Sequence, residues 1–287
     1  MEFCERPEDL KYVTRRRGLQ TSRGPDRSLA REELYQQLRH PRLTRDPRGS
    51  ARAGPQAELG IRRSQLRPRP GEVHSSSHSK KMNSDHLGFT AKEWRKLRSL
   101  KDPYGIQKFL DAMPYHLADT AWSPRVALRE NTAHCFEGAM LAAAALRANG
   151  FAPLVFDLEA EHDTDHVVAI YQIRGHWGAL AKSNFTGCRY REPVYRNLRE
   201  LALSYFEVYF NLRKERSLRR FSGPVNLRRF DSEQWMTTEE PLWFVANYLF
   251  TIRHYPLLRP QMVKHLHRLD DRSFRAGCVD RAEKNRG

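Results

Sequence analysis

Cys135 and His166 are the two side chains of this 287-residue chain whose types and settings could together do covalent chemistry. A thiolate is a strong nucleophile. An imidazole can take the thiol proton and later return it to a leaving amine. Cys135 heads a run rich in alanine and leucine, residues 135–146, with the composition of a buried helix. A cysteine in the first turn meets the positive end of the helix dipole, which favours thiolate and is expected to lower its pKa. His166 opens the β-branched and aromatic run 166–173, which has the texture of a strand. A third group must orient the imidazole through its other nitrogen; Asn184 is the chemical preference and Ser183 the geometric one.

Other residues compete for these roles. His134 adjoins Cys135, but successive helix positions diverge by about 100°, so it is not expected to serve as the base. His162, Asp163, Asp165 and His166 offer metal-ligand types, yet a flexible acidic loop explains them more simply, and neither a metal nor another cofactor is expected. Cys4, Cys135, Cys188 and Cys278 are scattered singly, with no CxxC pair. That excludes a zinc ribbon or thioredoxin-type motif and points to reduced thiols in a cytoplasmic protein. Cys188 reads as structural or unused.

The elements that would position the pair follow from periodicity. Thr90 with Glu93 has the spacing of a capping box ahead of Trp94, Leu97 and Leu100. A second helix is expected over 104–113, stopped by Pro114, and then an irregular segment through Trp122, Ser123 and Pro124. Asn131 or Thr132 is expected to cap the cysteine helix, and Asn149-Gly150 to end it. Four consecutive alanines, 142–145, leave that helix smooth on all sides, as suits a central position. Strands are expected over 153–158, 166–173 and 176–184, with Arg174-Gly175 as a two-residue turn. Paired positions then sum to 349, which sets His166 opposite Ser183, while a bulge would bring Asn184 or Lys182 there. A helical stripe runs from Leu198 to Tyr209, and an apolar segment from Pro241 to Tyr255.

With these motifs in place, residues 131–184 resemble the transglutaminase-like core: a cysteine helix, a strand, a histidine strand, and a strand opening on Gly175-His176-Trp177. Residues 177–184, 191–195 and 204–206 are similar to a bacterial group of transglutaminase-like proteins without firm functional assignment. The resemblance spans about residues 85–260. It implies a papain-like fold and Cys-His-Asp chemistry on glutamine side chains or peptide bonds, without a cofactor. It also implies an Asp about four residues after the Trp, where this chain has Ala181.

Charge divides the chain. Residues 1–81 hold 16 Arg and 3 Lys against 10 acids, a formal +9, which leaves +7 for the other 206 residues. Arg, Pro, Gly and Ser dominate that first part, and only Leu29 to Leu38 could turn helical. It is expected to be a disordered tail, or a translated upstream region ahead of a true start at Met82. The domain is expected over 82–270 and a disordered tail over 271–287. The concentration of charge outside the domain weakens a nucleic-acid reading, and the basic run Arg213–Arg220 reads as a solvated face. No apolar run approaches the length of a membrane span.

The fold class expected is α+β: a central buried helix packed on a small antiparallel sheet, with extra C-terminal helices. The function expected is cysteine-dependent acyl transfer or hydrolysis on a peptide or protein amide. Cys135 is the nucleophile, His166 the base, and Asn184 or Ser183 the orienting group. The alternatives are a weakly active or inactive binding module on the same fold and, behind it, a nucleic-acid-associated basic protein.

Overall fold

A computed structural model describes residues 86–278. The expectations for residues 1–81, including the helix at 29–38 and the start at Met82, lie outside the described residues, as does the stretch 279–287.

Helix α1 (Ala91–Ser99) starts where the capping box placed it: the Thr90 N–H donates to Glu93 Oε2 at 2.7 Å, and Thr90 Oγ1 accepts from the Glu93 N–H. Helix α2 (Pro103–Ala112) is capped by Asp102, with Pro103 in its first turn, where a missing N–H costs nothing. The irregular segment ends at Ser123, and a helix that the sequence did not reveal begins at Pro124. It is helix α3 (Pro124–Glu130), capped by Ser123 and closed by Asn131 in the left-handed conformation at φ 52°. Asn131 thus ends one helix and does not begin the next. The cap of α4 (Cys135–Ala148) is His134, whose Nδ1 accepts from the Phe136 N–H at 3.2 Å. Ala142 to Ala145 are fully buried, as their smoothness implied.

The chain then weaves strands β1 (Leu154–Ala160), β2 (His166–Ile173), β3 (His176–Leu180) and β4 (Arg191–Tyr195). Arg174 and Gly175 both take positive φ, the requirement of a tight two-residue hairpin. Helix α5 (Leu198–Phe206) follows, then β5 (Leu218–Ser222), the two-residue β6 (Val225–Asn226) and a 3₁₀ turn (Leu227–Phe230). Helix α6 (Trp243–Thr251), β7 (His254–Pro256), α7 (Pro260–Val263) and α8 (Asp271–Gly277) complete the order. The sheet runs β4-β3-β2-β1-β5-β7, with β6 also on β1, and every pairing is antiparallel. The architecture is α+β.

Both faces of the central strands are covered. Val167, Ala169 and Tyr171 of β2 pack with α4, while Val168 and Ile170 pack with Leu201 and Tyr205 of α5. A strand buried on both sides shows no polar alternation, which is why 166–171 reads as continuous apolar sequence.

Two expectations are corrected here. Asp271 opens a helix and not a tail: Phe274 and Cys278 bury against Phe210 and Leu269. The charges of Asp271, Arg272 and Arg275 sit on its exposed side and hid the two apolar anchors. The helical stripe ends at Phe206, and Tyr209 enters the core from an irregular segment. The basic run is largely consumed by ion pairs, among them Arg219–Glu161 at 2.8 Å and Arg216–Glu207 at 2.9 Å. Among the described residues no helix is long and apolar enough to cross a membrane.

Candidate functional site

The register rule holds from Ile173↔His176 to Ala169↔Leu180, each pair summing to 349. There the ladder stops, four residues short of the expected Asn184 end, because Lys182 is drawn away. Its ammonium donates to the carbonyls of Leu110 at 2.7 Å and Met113 at 2.5 Å, closing the C-terminus of α2. Its stem rests on Gly138 of α4, where a Cβ would come within 2.3 Å of Lys182 Cβ. Ser183 therefore does not pair with His166. Its hydroxyl accepts from the Phe185 N–H at 3.0 Å, a local turn bond.

Even so, Cys135, His166, Ser183 and Asn184 all line one cavity of about 50 Å3 at the N-terminal end of α4. Cys135 is the first residue of α4 and keeps some exposed surface. Its sulfur lies against the opening of β2, 4.0 Å from the Asp165 carbonyl oxygen. Burial pushes the Cys135 thiol up to about 11; the Phe136 and Val167 N–H groups oppose this, and the Asp157 and Glu137 charges add to it. This corrects the expectation of a lowered pKa: removal from water outweighs the helix terminus.

His166 shares the sheet face of Val168 and Ile170, the side opposite α4, and its ring meets Tyr209 edge-on at 6.2 Å. Nε2 donates to the main-chain carbonyl of Cys188 at 3.0 Å. Burial pushes the imidazole down to about 4, against the pull of that carbonyl. A neutral ring with Nε2–H donating keeps its lone pair on Nδ1. No hydrogen bond joins Cys135 Sγ to His166; the two share the cavity as a neutral thiol and a neutral imidazole.

The group bonded to His166 Nε2 is thus the Cys188 carbonyl and neither Asn184 nor Ser183. Nothing in the sequence marks a main-chain acceptor, and Cys188 reads there as structural or unused. Ala181, in the expected Asp position, is fully buried on the same face as His166.

A buried carboxylate also escaped the sequence reading. Glu137, with no exposed surface, accepts from the Trp122 N–H at 3.1 Å, the His134 N–H at 3.2 Å and His116 Nδ1 at 3.2 Å, as well as from the Thr120 hydroxyl. It ties the segment before α3 to the first turn of α4 and so braces Cys135. The signal was the three-residue step from His134 to Glu137, a capping-box spacing with an unusual cap. The ligand types expected near His162 diverge: His162 is exposed, while Asp163 accepts from Ser217 and Asp165 from the Ala160 N–H. Among the described residues no three His, Cys, Asp or Glu side chains are grouped as a metal site.

No family model matches the chain, and no curated protein matches it significantly.

Proposed function

We propose that residues 86–278 form a transglutaminase/papain-like cysteine domain that performs acyl transfer or hydrolysis on an amide. The observation that carries this is the convergence of Cys135, at a helix N-terminus, and His166, at a strand opening, on one cavity, with His166 Nδ1 left as the acceptor.

In this reading the Cys135 sulfur attacks the amide carbonyl as its proton passes to His166 Nδ1. The negative oxygen of the tetrahedral intermediate lies at the first-turn N–H groups of α4. Collapse breaks the C–N bond, and the imidazolium returns the proton to the departing amine. Water or a second amine then attacks the thioester and restores the thiol. A thiol pushed to about 11 and an imidazole pushed to about 4 do not form an ion pair at rest. Proton transfer is therefore coupled to attack, after substrate brings sulfur and ring together.

The test is acid-quench mass spectrometry of the full chain with glutamine-bearing peptides, alongside ammonia release. An acyl adduct on Cys135, lost in Cys135→Ala and formed far more slowly in His166→Gln, is expected. Absence of both adduct and ammonia overturns the reading.

A second reading, a binding module on the same fold, is favoured by the raised thiol and by Ala181 in the carboxylate position. It predicts saturable peptide binding that Cys135→Ala leaves unchanged.

A further inference from the structure

The cavity over Cys135 is smaller than any peptide ligand. Its volume of about 50 Å3 leaves room for a few waters, and an amide with its flanking chain is larger. Such a ligand reaches the sulfur only if a wall moves. Two irregular segments face each other across the space: Asp163 to Asp165 on one side, Ser183 to Cys188 on the other.

The two walls are held differently. Phe185 meets the Phe210 ring edge-on at 5.4 Å, and Cys188 is buried in the cluster with Leu201 and Tyr205 of α5. Apolar burial fastens that wall. The other wall belongs to the connection between β1 and β2, and all five of its residues are polar: Glu161, His162, Asp163, Thr164 and Asp165. Four of them in succession are tied to the segment 209–217. The Glu161 N–H donates to the Ser217 carbonyl at 2.9 Å, and the His162 carbonyl accepts from the Asn211 side-chain amide at 3.2 Å. Asp163 Oδ2 accepts from the Ser217 hydroxyl at 2.6 Å, and the Thr164 carbonyl from the Tyr209 hydroxyl at 2.7 Å. Hydrogen bonds beside water can be exchanged for bonds to water at small net cost, whereas an exposed apolar face has no such replacement. His162 also holds φ 58°, a left-handed conformation that its β-carbon disfavours and that release of the connection would relieve.

We propose that residues 161–165 are a lid over Cys135, which swings away from the 209–217 segment to admit a peptide while the Ser183–Cys188 wall stays closed. This rests on the reading that ligands reach the Cys135 sulfur, and it names what moves to let them in. The sulfur lies 4.0 Å from the Asp165 carbonyl oxygen, at the root of the lid, so opening there uncovers it. Segments with polar tethers and little apolar burial are the ones that open locally, ahead of the core.

The experiment does not depend on turnover. The full chain is labelled with N-ethylmaleimide, which is larger than the closed cavity, and Cys135 is read by peptide mass spectrometry. Amide hydrogen exchange is followed in parallel. Ser217→Ala removes one tether from behind the lid, since Ser217 is not among the described residues that line the cavity. It is expected to raise Cys135 labelling by about tenfold and to lower protection of the Glu161 amide by about the same factor. Protection of the Thr186 amide, which donates to the Gly277 carbonyl behind the opposite wall, is expected to stay unchanged. In the unaltered chain the labelling rate is expected to be nearly flat in low urea, because a lid exposes little surface.

Unchanged labelling in a folded Ser217→Ala chain overturns the proposal. So does a fall in Thr186 protection that keeps step with labelling, which would make the other wall the door. A labelling rate in the unaltered chain that climbs with the full urea slope of global unfolding also overturns it. Tyr209→Phe, which drops the Thr164 tether, repeats the comparison if Ser217→Ala does not fold. Loss of amide turnover with gated labelling intact strikes the proposed reaction alone, and turnover with labelling indifferent to the tethers strikes the lid alone.

Discussion

His166 donates Nε2–H to the main-chain oxygen of Cys188 at 3.0 Å, so a peptide group stands where the resemblance implies a carboxylate. A carbonyl fixes the tautomer but supplies no full charge to hold an imidazolium, and burial pushes the ring down to about 4. His166 is therefore expected to be the neutral Nε2–H tautomer at pH 6, which ¹⁵N chemical shifts read directly. The unfolded chain binds a proton near pH 6.5 that the folded ring refuses, so this contribution is present above 6.5 and is lost as pH falls toward 4. It amounts to roughly 3 kcal/mol. An imidazolium at pH 6 would contradict the assignment.

A second, half-buried histidine works in the opposite direction. His254 Nδ1 faces the Ile252 carbonyl and Nε2 faces Asp157 Oδ2, each at 3.0 Å, so both nitrogens meet acceptors. Burial alone would lower its pKa, but the hydrogen bond and charge of Asp157 override it and the net shift is upward. The stability it brings is complete below the unfolded value and is lost as pH rises through the folded one. Asp157 Oδ1 is buried without a partner, so removing the imidazole leaves an exposed cost in full. His254→Gln is expected to destabilise by about 3 kcal/mol or more, and Asp157→Asn in the same chain to recover part of that. Denaturant melts at pH 6 measure both; strict additivity of the two changes would sink the pairing.

The sequence carried the local elements well where one physical signal dominated. The capping box at Thr90, the hairpin at Arg174-Gly175 and the full extent of β2 were legible because each depends on neighbouring residues. The convergence on one cavity was partly legible, since helix start and strand opening placed Cys135 and His166 at element ends. What was not legible depended on distant contacts. The end of β3 is set by Lys182 reaching the carbonyls of Leu110 and Met113, some 70 positions earlier. The acceptor for His166 is a main-chain atom that any residue type would provide. The sign of the thiol shift required knowing how much protein surrounds the sulfur, which no spacing reveals.

Gly138 is where that distant contact becomes testable. A Cβ there would approach Lys182 Cβ to 2.3 Å, and neither backbone lies at the flexible end of a side chain. Gly138→Ala gains helix propensity of about 1 kcal/mol at a packed position, but the strand extension must shift to admit it. A net loss of about 1–3 kcal/mol is expected, with weakened order at Ser183 and Asn184. Gly223→Ala, where an added Cβ meets nothing within 4 Å, is the control and is expected to stay within about 0.5 kcal/mol of the parent. Equal stabilities for the two variants in denaturant melts would disprove the close approach.

Glu137 makes a sharper demand, because its carboxylate has no exposure and four donors converge on it. Glu137→Ala strands those donors and is expected to cost about 3 kcal/mol or more, while Glu137→Gln keeps the acceptors for Thr120 and Trp122 and costs less. Hydrogen exchange at the Trp122 and His134 amides checks the cause. Protection unchanged in Glu137→Ala would show that the carboxylate does not brace the helix start.

Ala181 offers the most direct test of the family resemblance. It lies on the α5 side of the sheet with Ala179, Val168 and Ile170, the face that also carries the His166 ring. An Asp introduced there enters apolar surroundings on the sheet face that carries the imidazole. The buried carboxylate lowers stability, yet an opposite charge within about 4–6 Å raises an imidazole pKa by about 1–3 units. In Ala181→Asp the His166 titration is therefore expected to climb from about 4 toward neutrality. Cys135 alkylation at pH 7 should quicken with it, since a protonated ring in the shared cavity favours thiolate. NMR titration of the imidazole and iodoacetamide kinetics read the two effects separately. A ring that still titrates near 4 in a folded Ala181→Asp chain would show that position 181 does not face the imidazole, and the likeness to a Cys-His-Asp site would fail at its third member.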